Sequence, residues 1–146
     1  MGNLKLTSSA FEDGGEIPRK YGYKNGNREP PLTMNGVPEG TKSIALIMDD
    51  PDAMGAVGKV WVHWVMWNID PTNTELENLM KEGMTDFGEV GYGGPAPPDK
   101  RHTYVFKLYA LDSELDLPDK STKADVEKAM EGHIIEQTQL TGTYAP

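Results

Sequence analysis

Residues 60–69 read VWVHWVMWNI, a run in which both alternating faces are largely apolar. One face carries Trp61, His63, Val65 and Trp67, and the other carries Val62, Trp64, Met66 and Asn68. Because successive side chains of a β-strand point to opposite faces of the sheet, a strand that is apolar on both faces must be covered on both sides. The run therefore predicts a central strand with protein packed against both of its faces.

Two further stretches have strand character. Residues 43–48, SIALIM, are β-branched and apolar and stop at the strand-ending Asp-Asp-Pro-Asp cluster of residues 49–52. Residues 102–111, HTYVFKLYAL, place His102, Tyr104, Phe106, Leu108 and Ala110 on one face and Thr103, Val105, Lys107, Tyr109 and Leu111 on the other. With 16 Gly and 11 Pro in 146 residues, turns are frequent, and we predict a mainly β fold.

Two helices and two long loops complete the predicted elements. The first helix has a capping-box pattern of Thr74 and Glu77, followed by the apolar residues Leu76, Leu79 and Met80. The second begins at Thr122, with Asp125 three residues later, and its apolar stripe contains Val126, Ala129, Met130 and Ile134. Residues 12–34 and 83–101 are rich in Gly, Pro and charge, so we predict long ordered loops, which often carry function.

Composition excludes several classes of function. The chain has 14 Lys and Arg against 23 Asp and Glu, a net charge of −9, so its surface repels nucleic acid and anionic lipid. Without cysteine it can form no disulfide, thiolate metal site or cysteine nucleophile. The first residues, MGNLKLTSSAF, do not show the pattern expected of a secretory signal, and the apolar runs are far shorter than the roughly 20 residues of a membrane helix. We predict a cytoplasmic protein with one domain over residues 1–146 and no transmembrane segment.

The acidic turn at residues 49–52 and His63 are the first candidates for chemistry. A histidine in an apolar strand requires a polar partner, because buried ionisable groups are hydrogen-bonded or paired. We expect that partner to be a carboxylate of Asp50 or Asp52. The alternative is a purely structural role. An Asp before Pro often closes a turn, and a buried histidine often forms its hydrogen bonds within the protein without binding a ligand.

The second candidate is the GYGGPAPP segment of residues 91–98, which lies just before His102 and Tyr104. It lacks the GK[ST] ending of a phosphate loop, and no G-x-G-x-x-G motif opens a helix there. What remains is a rigid rim whose Ala96 N–H is available to an anion, with His102 and Tyr104 on one face of the following strand. A proline-braced loop without a ligand is the alternative.

The same residues are compatible with other kinds of site. The side chains of Asp50, Asp52, His63 and His102 are ligand types that suit Zn²⁺, Mn²⁺ or Fe²⁺, but their spacing does not support a metal site. A metal-assisted hydrolase, or a hydrolase that uses Asp52 and His63 as acid and base, is the alternative function. An interaction module that contacts a protein through an exposed loop is a third possibility.

Four motifs occur together in one order: DPDA at residues 50–53, WVHW at 61–64, GPAPP at 94–98 and HTYVF at 102–106. In combination they resemble the phosphatidylethanolamine-binding protein family, in particular its short bacterial and archaeal members described as Raf-kinase-inhibitor-like. The resemblance extends from LTSSAF at residues 6–11 to LTGTYAP at 140–146. It implies a large antiparallel sheet packed with a smaller sheet and flanked by a few short helices.

The resemblance also implies a function. In this family the motifs converge on a small anion pocket, and the matching positions here are Asp50, Asp52, His63, Ala96, Pro97, His102 and Tyr104. A non-enzymatic binding protein without cofactor or metal is implied, with phosphate or phosphoethanolamine as ligand, a kinase or protease as a regulated partner, and a homodimer as assembly. If a carboxylate keeps the pocket imidazole protonated, affinity for the anion weakens as the pH rises through its titration.

Overall fold

The computed structural model describes residues 2–76 and 81–146. Its strands are β1 (Lys5–Thr7), β2 (Gly15–Glu16), β3 (Thr33–Asn35), β4 (Ser43–Asp50), β5 (Trp61–Ile69), β6 (Lys81–Glu82), β7 (His102–Leu111) and β8 (Ile134–Tyr144). Its helices are a 3₁₀ turn (Arg19–Tyr21), α1 (Ala53–Val57) and α2 (Lys123–Met130). A six-stranded sheet has the order β2-β8-β7-β4-β5-β6, and β1 and β3 form a two-stranded antiparallel sheet. Among the described residues, every strand pair of the large sheet except the short β2–β8 pair is antiparallel. The predicted mainly β fold with a large antiparallel sheet is therefore confirmed.

β4 lies at the centre of the large sheet, between β5 and β7, and all of its residues are buried. One face of the sheet, here called the β1–β3 face, packs side chains such as Met48 and Phe106 against Leu6 and Met34 of the small sheet. Burial on both faces explains why this strand is apolar almost throughout. The predicted covering of the central strands on both sides is confirmed.

The opposite face, called the α2 face, packs against the helix α2. Val126 and Met130 of α2 belong to the same buried cluster as Ile47 and Trp67 of the sheet. A buried carboxylate ties helix and sheet together, because Asp49 accepts hydrogen bonds from Lys107 at 3.0 Å and Lys123 at 2.8 Å. The helix thus covers a face that would otherwise expose apolar side chains.

A β-bulge in β5 changes the face on which its side chains lie. Asp50 pairs with Trp61 and Asp49 with Val62, but Met48 pairs with Trp64, so His63 is the extra residue. His63 therefore lies on the same face as Trp64, where its ring contacts that of Tyr104 with centroids 5.1 Å apart. The prediction that Trp61, His63, Val65 and Trp67 share one face is wrong, because an inserted residue reverses the alternation of a strand. For β7 the predicted alternation is confirmed by the two core clusters.

The second helix is shorter than predicted. Its capping box at Thr122 and Asp125 is present, but the helix ends at Met130 and Ile134 begins β8 instead. Gly132 lies between them with φ of 79°, a left-handed conformation that favours glycine and turns the chain back. β8 then pairs with β7 over the whole length of β7, which protects an edge that would otherwise expose its backbone groups.

The segment predicted as the first helix begins in an extended conformation. Thr74 and Leu76 form backbone hydrogen bonds to Met34 and Leu32, beside the small sheet. Residues 77–80, which carry the rest of that prediction, lie outside the described residues. The long loops predicted over 12–34 and 83–101 are largely irregular, with short elements only at residues 15–16, 19–21 and 33–34.

Candidate functional site

A cavity of about 140 Å³ opens at the end of β4, on the β1–β3 side of the large sheet. Its walls are formed by Asp50, Ala53, Ala56, Val57, Trp61, His63, Phe87, Ala96 and Pro98. Pockets for drug-sized ligands measure about 300–1,000 Å³, and one water occupies roughly 30 Å³ in the liquid. The cavity therefore has the size of a group of a few non-hydrogen atoms.

Local structure explains how the cavity is assembled. Asp50 is the last residue of β4, and its pairing with Trp61 places both side chains on the same face. The chain then turns into α1, which contributes the small side chains of Ala53 and Ala56. Phe87 closes the other side, held in a stack with Tyr23 at a centroid distance of 4.1 Å. Small residues from the helix and large aromatic residues from β5 and the 83–101 loop thus shape one small opening.

His63 reaches the cavity because of the bulge in β5, and its partner is a backbone carbonyl. Its Nδ1 lies 2.7 Å from the oxygen of Gly93, so Nδ1 carries the proton and donates it. Burial lowers the pKa of His63, although the Gly93 carbonyl and the negative charge of Asp50 oppose that effect. The imidazole is therefore neutral near pH 7, with Nε2 as an unprotonated acceptor. The prediction of a carboxylate partner for His63 is wrong, because the Gly93 carbonyl accepts the hydrogen bond that a carboxylate would have accepted.

The carboxylate of Asp50 is bound instead by His102. His102 Nδ1 lies 2.6 Å from Asp50, and His102 Nε2 lies 2.7 Å from Asp99. Burial is the largest influence and lowers the pKa of His102, but the hydrogen bonds to the two carboxylates together outweigh it and raise that pKa above its ordinary value. The hydrogen bond from His102 in turn lowers the pKa of Asp99. Both ring nitrogens of His102 thus donate to carboxylates, so His102 is the protonated imidazole of the site. Its positive charge offsets the negative charge of Asp50.

Tyr104 packs against the ring of His63 beside the cavity, and its completely buried hydroxyl forms no hydrogen bond of good geometry within the described residues, although Asp50 and the Ala96 N–H lie near it. Burial raises the pKa of Tyr104 far above its ordinary value; the nearby Asp50 carboxylate acts in the same direction, and the Ala96 N–H opposes both. The hydroxyl therefore keeps its proton throughout the physiological range. An unpartnered buried hydroxyl is rare, because leaving it unsatisfied costs about 1–3 kcal/mol.

The remaining two predicted site residues lie elsewhere. Asp52 accepts a hydrogen bond from the Thr103 N–H at 2.8 Å, which links the acidic turn to the start of β7. Pro97 lines a different groove, on the far side of the loop formed by residues 95–98. Asp52 and His63 therefore do not face each other across the cavity, as the proposed acid and base of a hydrolase would have to do.

Several contributors to the site were not predicted from the sequence. Phe87 forms a wall, Gly93 orients His63, and Asp99 completes the chain of hydrogen bonds through His102. One of these had a local signal, because Asp99 stands three residues before His102. Phe87 and Gly93 had none, since only the folding of the 83–101 loop brings them to β5.

Among residues 2–76 and 81–146, no three His, Asp or Glu side chains are grouped so that they could hold a metal ion. In the same part of the chain, none of the helices has the length and apolar character needed to cross a membrane. The metal-assisted alternative therefore gains no support from the arrangement of these side chains.

Comparisons with known proteins agree with this architecture. A family model described as phosphatidylethanolamine-binding protein matches residues 7–145. A UPF0098 protein of Methanothermobacter thermautotrophicus is 45% identical over 151 aligned residues, which cover 97% of this chain and 98% of that protein. The crystal structure of a phosphatidylethanolamine-binding protein homologue from Chlamydia trachomatis superposes with a TM-score of 0.92 at 38% identity, covering 99% of this chain and 98% of that one. E. coli YbcL, described as a member of the mammalian family, superposes with a TM-score of 0.88 at 32% identity, covering 98% of each chain.

Proposed function

Because this chain belongs to the phosphatidylethanolamine-binding protein family, we propose that its small cavity binds an anion such as phosphate or the phosphoryl group of phosphoethanolamine. The observation that carries this proposal is the buried Tyr104 hydroxyl, which forms no hydrogen bond of good geometry and lies near Asp50 and the Ala96 N–H, two groups of the cavity wall. A ligand oxygen would satisfy that hydroxyl. The proposal thus accounts for a polar group that the protein alone leaves unsatisfied.

The chemistry of the cavity favours an anion that brings, or is accompanied by, a proton. The Tyr104 hydroxyl and the Ala96 N–H are donors, and His63 Nε2 becomes a third donor once it is protonated. Asp50 would repel an anion by itself, but the charged His102 at 2.6 Å offsets its carboxylate. No Lys or Arg lines the cavity among the described residues, so protonation of His63 supplies the positive charge for the ligand.

The dimensions of the cavity restrict the rest of the ligand. About 140 Å³ holds a phosphoryl group, while any attached chain would extend past the mouth. Much of the cavity wall is apolar and includes the side chains of Val57, Trp61 and Phe87. These would contact the carbon atoms next to the phosphoryl group. Regulation of a kinase or a protease stays a prediction from the family resemblance.

The proposal is tested by titrating phosphate and phosphoethanolamine into the protein at mildly acidic pH and recording two-dimensional NMR spectra. We expect shifts centred on Asp50, His63 and Ala96. In His63→Ala, binding should weaken about tenfold or more, because one charge-assisted hydrogen bond contributes roughly 1.5–3 kcal/mol. His133→Ala, which removes an exposed histidine far from the cavity, is the matched control.

Three results would contradict the proposal. One is the absence of shifts with either ligand, and another is an equal loss of binding in the two histidine variants. The third is release of inorganic phosphate from phosphoethanolamine, followed by ³¹P NMR, which would favour the hydrolase alternative instead.

A further inference from the structure

A second concave surface lies on the far side of the loop formed by residues 95–98, away from the small cavity. This groove, here called the basic groove, measures about 400 Å³ and is lined by Arg19, Lys24, Asn25, Pro95, Ala96, Pro97, Pro98 and Pro146. Four of these residues are prolines and two are cationic. Ala96 and Pro98 line both openings, so the two adjoin across this loop, but neither cation lines the small cavity.

The charge of the basic groove is opposite to that of the protein. Residues 18–28, PRKYGYKNGNR, hold four of the 14 basic residues and no acidic residue, in a chain with a net charge of −9. Of these four, Arg19 and Lys24 line the groove and Lys20 and Arg28 lie beside it in the sequence, and none of the four forms a salt bridge with another described residue. Cations left unpaired in a chain so rich in carboxylates are available to an external anion.

The groove is also preformed. The Tyr23 N–H donates to the Pro95 carbonyl at 2.9 Å, and the Asn27 side chain donates to the Tyr92 carbonyl at 3.1 Å and accepts from the Gly94 N–H at 2.7 Å. On the other wall, Arg19 donates to the Ala145 carbonyl at 2.7 Å. Since its backbone walls are held in place and its floor is rigid proline, little conformational entropy is lost when a ligand binds.

We propose that the basic groove is a docking site for an extended acidic segment of a partner protein. A groove of this size accepts a single peptide chain, with carboxylates facing Arg19 and Lys24 and apolar or proline residues on the proline floor. A flat anionic membrane fits less well, because the two cations line a concave groove that an extended chain can enter and a flat surface cannot. The proposal does not depend on what the small cavity binds.

The test measures fluorescence anisotropy of a fluorescein-labelled hexaglutamate peptide at low ionic strength. Lys24→Glu reverses a charge in the groove, while Lys42→Glu makes the same change at an exposed lysine that does not line the groove. We expect saturable binding that Lys24→Glu weakens by roughly fivefold or more and Lys42→Glu changes by less than about twofold. Binding should also decrease as salt is added. Unchanged melting curves establish that both variants are folded.

Each other outcome overturns the proposal. Equal weakening by the two variants would mean that only the net charge matters. No anisotropy change up to millimolar protein would mean that the groove does not hold acidic peptides. Sedimentation with phosphatidylglycerol vesicles that is lost in Lys24→Glu, without peptide binding, would assign the groove to a membrane surface instead.

Discussion

Sulfate binding to the small cavity is predicted to require the uptake of one proton by His63. The Nδ1 proton of His63 is committed to the Gly93 carbonyl at 2.7 Å, so only Nε2 is free for a ligand. Burial lowers the pKa of this imidazole, and at neutral pH Nε2 presents a lone pair, which repels an anion. Sulfate carries no proton that it could donate to Nε2. It can therefore be held there only by the imidazolium form.

The magnitude follows from the single free nitrogen. One proton taken up on binding makes the affinity fall tenfold, or about 1.4 kcal/mol, for each pH unit between the pKa values of His63 in the free and bound protein. The free pKa lies below the ordinary value of about 6.5, and a bound anion raises it. Affinity is therefore constant below the free pKa, falls as the pH rises, and levels off above the bound pKa. Phosphate shows a shallower dependence, because its own proton can be donated to Nε2.

Isothermal titration calorimetry at about pH 5.5, 6.5 and 7.5 measures both the affinity and the proton uptake, if each titration is repeated in buffers of different ionisation enthalpy. His63→Gln should bind weakly and without this pH dependence, while His133→Gln should behave like the unchanged protein. A sulfate affinity that is constant over this range, with no proton taken up, would refute the reasoning.

Three further predictions concern the supports of the site and the fold. NMR titration should give His102 a pKa above its ordinary value, and Asp99→Asn should lower that pKa. If the pKa of His102 is the same in Asp99→Asn, Asp99 contributes nothing to the shift. Because this shift is upward, the stability that His102 contributes is complete below about pH 6.5 and is lost as the pH rises through its folded-state pKa. Gly94→Ala should abolish phosphate binding and lower the melting temperature, since its Cβ would collide with a backbone carbonyl of the 18–28 segment. Gly55→Ala, with open space around it, should be neutral or stabilising by about 0.5–1 kcal/mol. Asp49→Asn should lower the free energy of unfolding, measured with urea, by about 2 kcal/mol. This is less than the roughly 3–5 kcal/mol lost when a fully buried pair is broken, because the two lysine partners of Asp49 reach solvent. An unchanged urea midpoint would show that this cluster adds no stability.

The three strands β4, β5 and β7, the capping box of α2 and the acidic and proline-rich motifs were predictable from the sequence, whereas β8 was not. Each depends on interactions between near neighbours. Alternation in residues 102–111 reports which side chains share a face, and the spacing of Thr122 and Asp125 reports a helix start. The family resemblance added the architecture of two packed sheets, which no local pattern specifies.

Tertiary structure decided which partner each of these groups obtained. A bulge that depends on the pairing of β4 with β5 turned His63 toward the cavity, and Gly93, 30 residues away, became its partner. Asp50 is hydrogen-bonded to His102, 52 residues away. The basic run at 18–28 is plain in the sequence, but only folding places it against the 95–98 loop. The physical reason is that residue types determine which groups need a hydrogen bond or an opposite charge, whereas competition among distant groups at the same point in space determines which of them receives it.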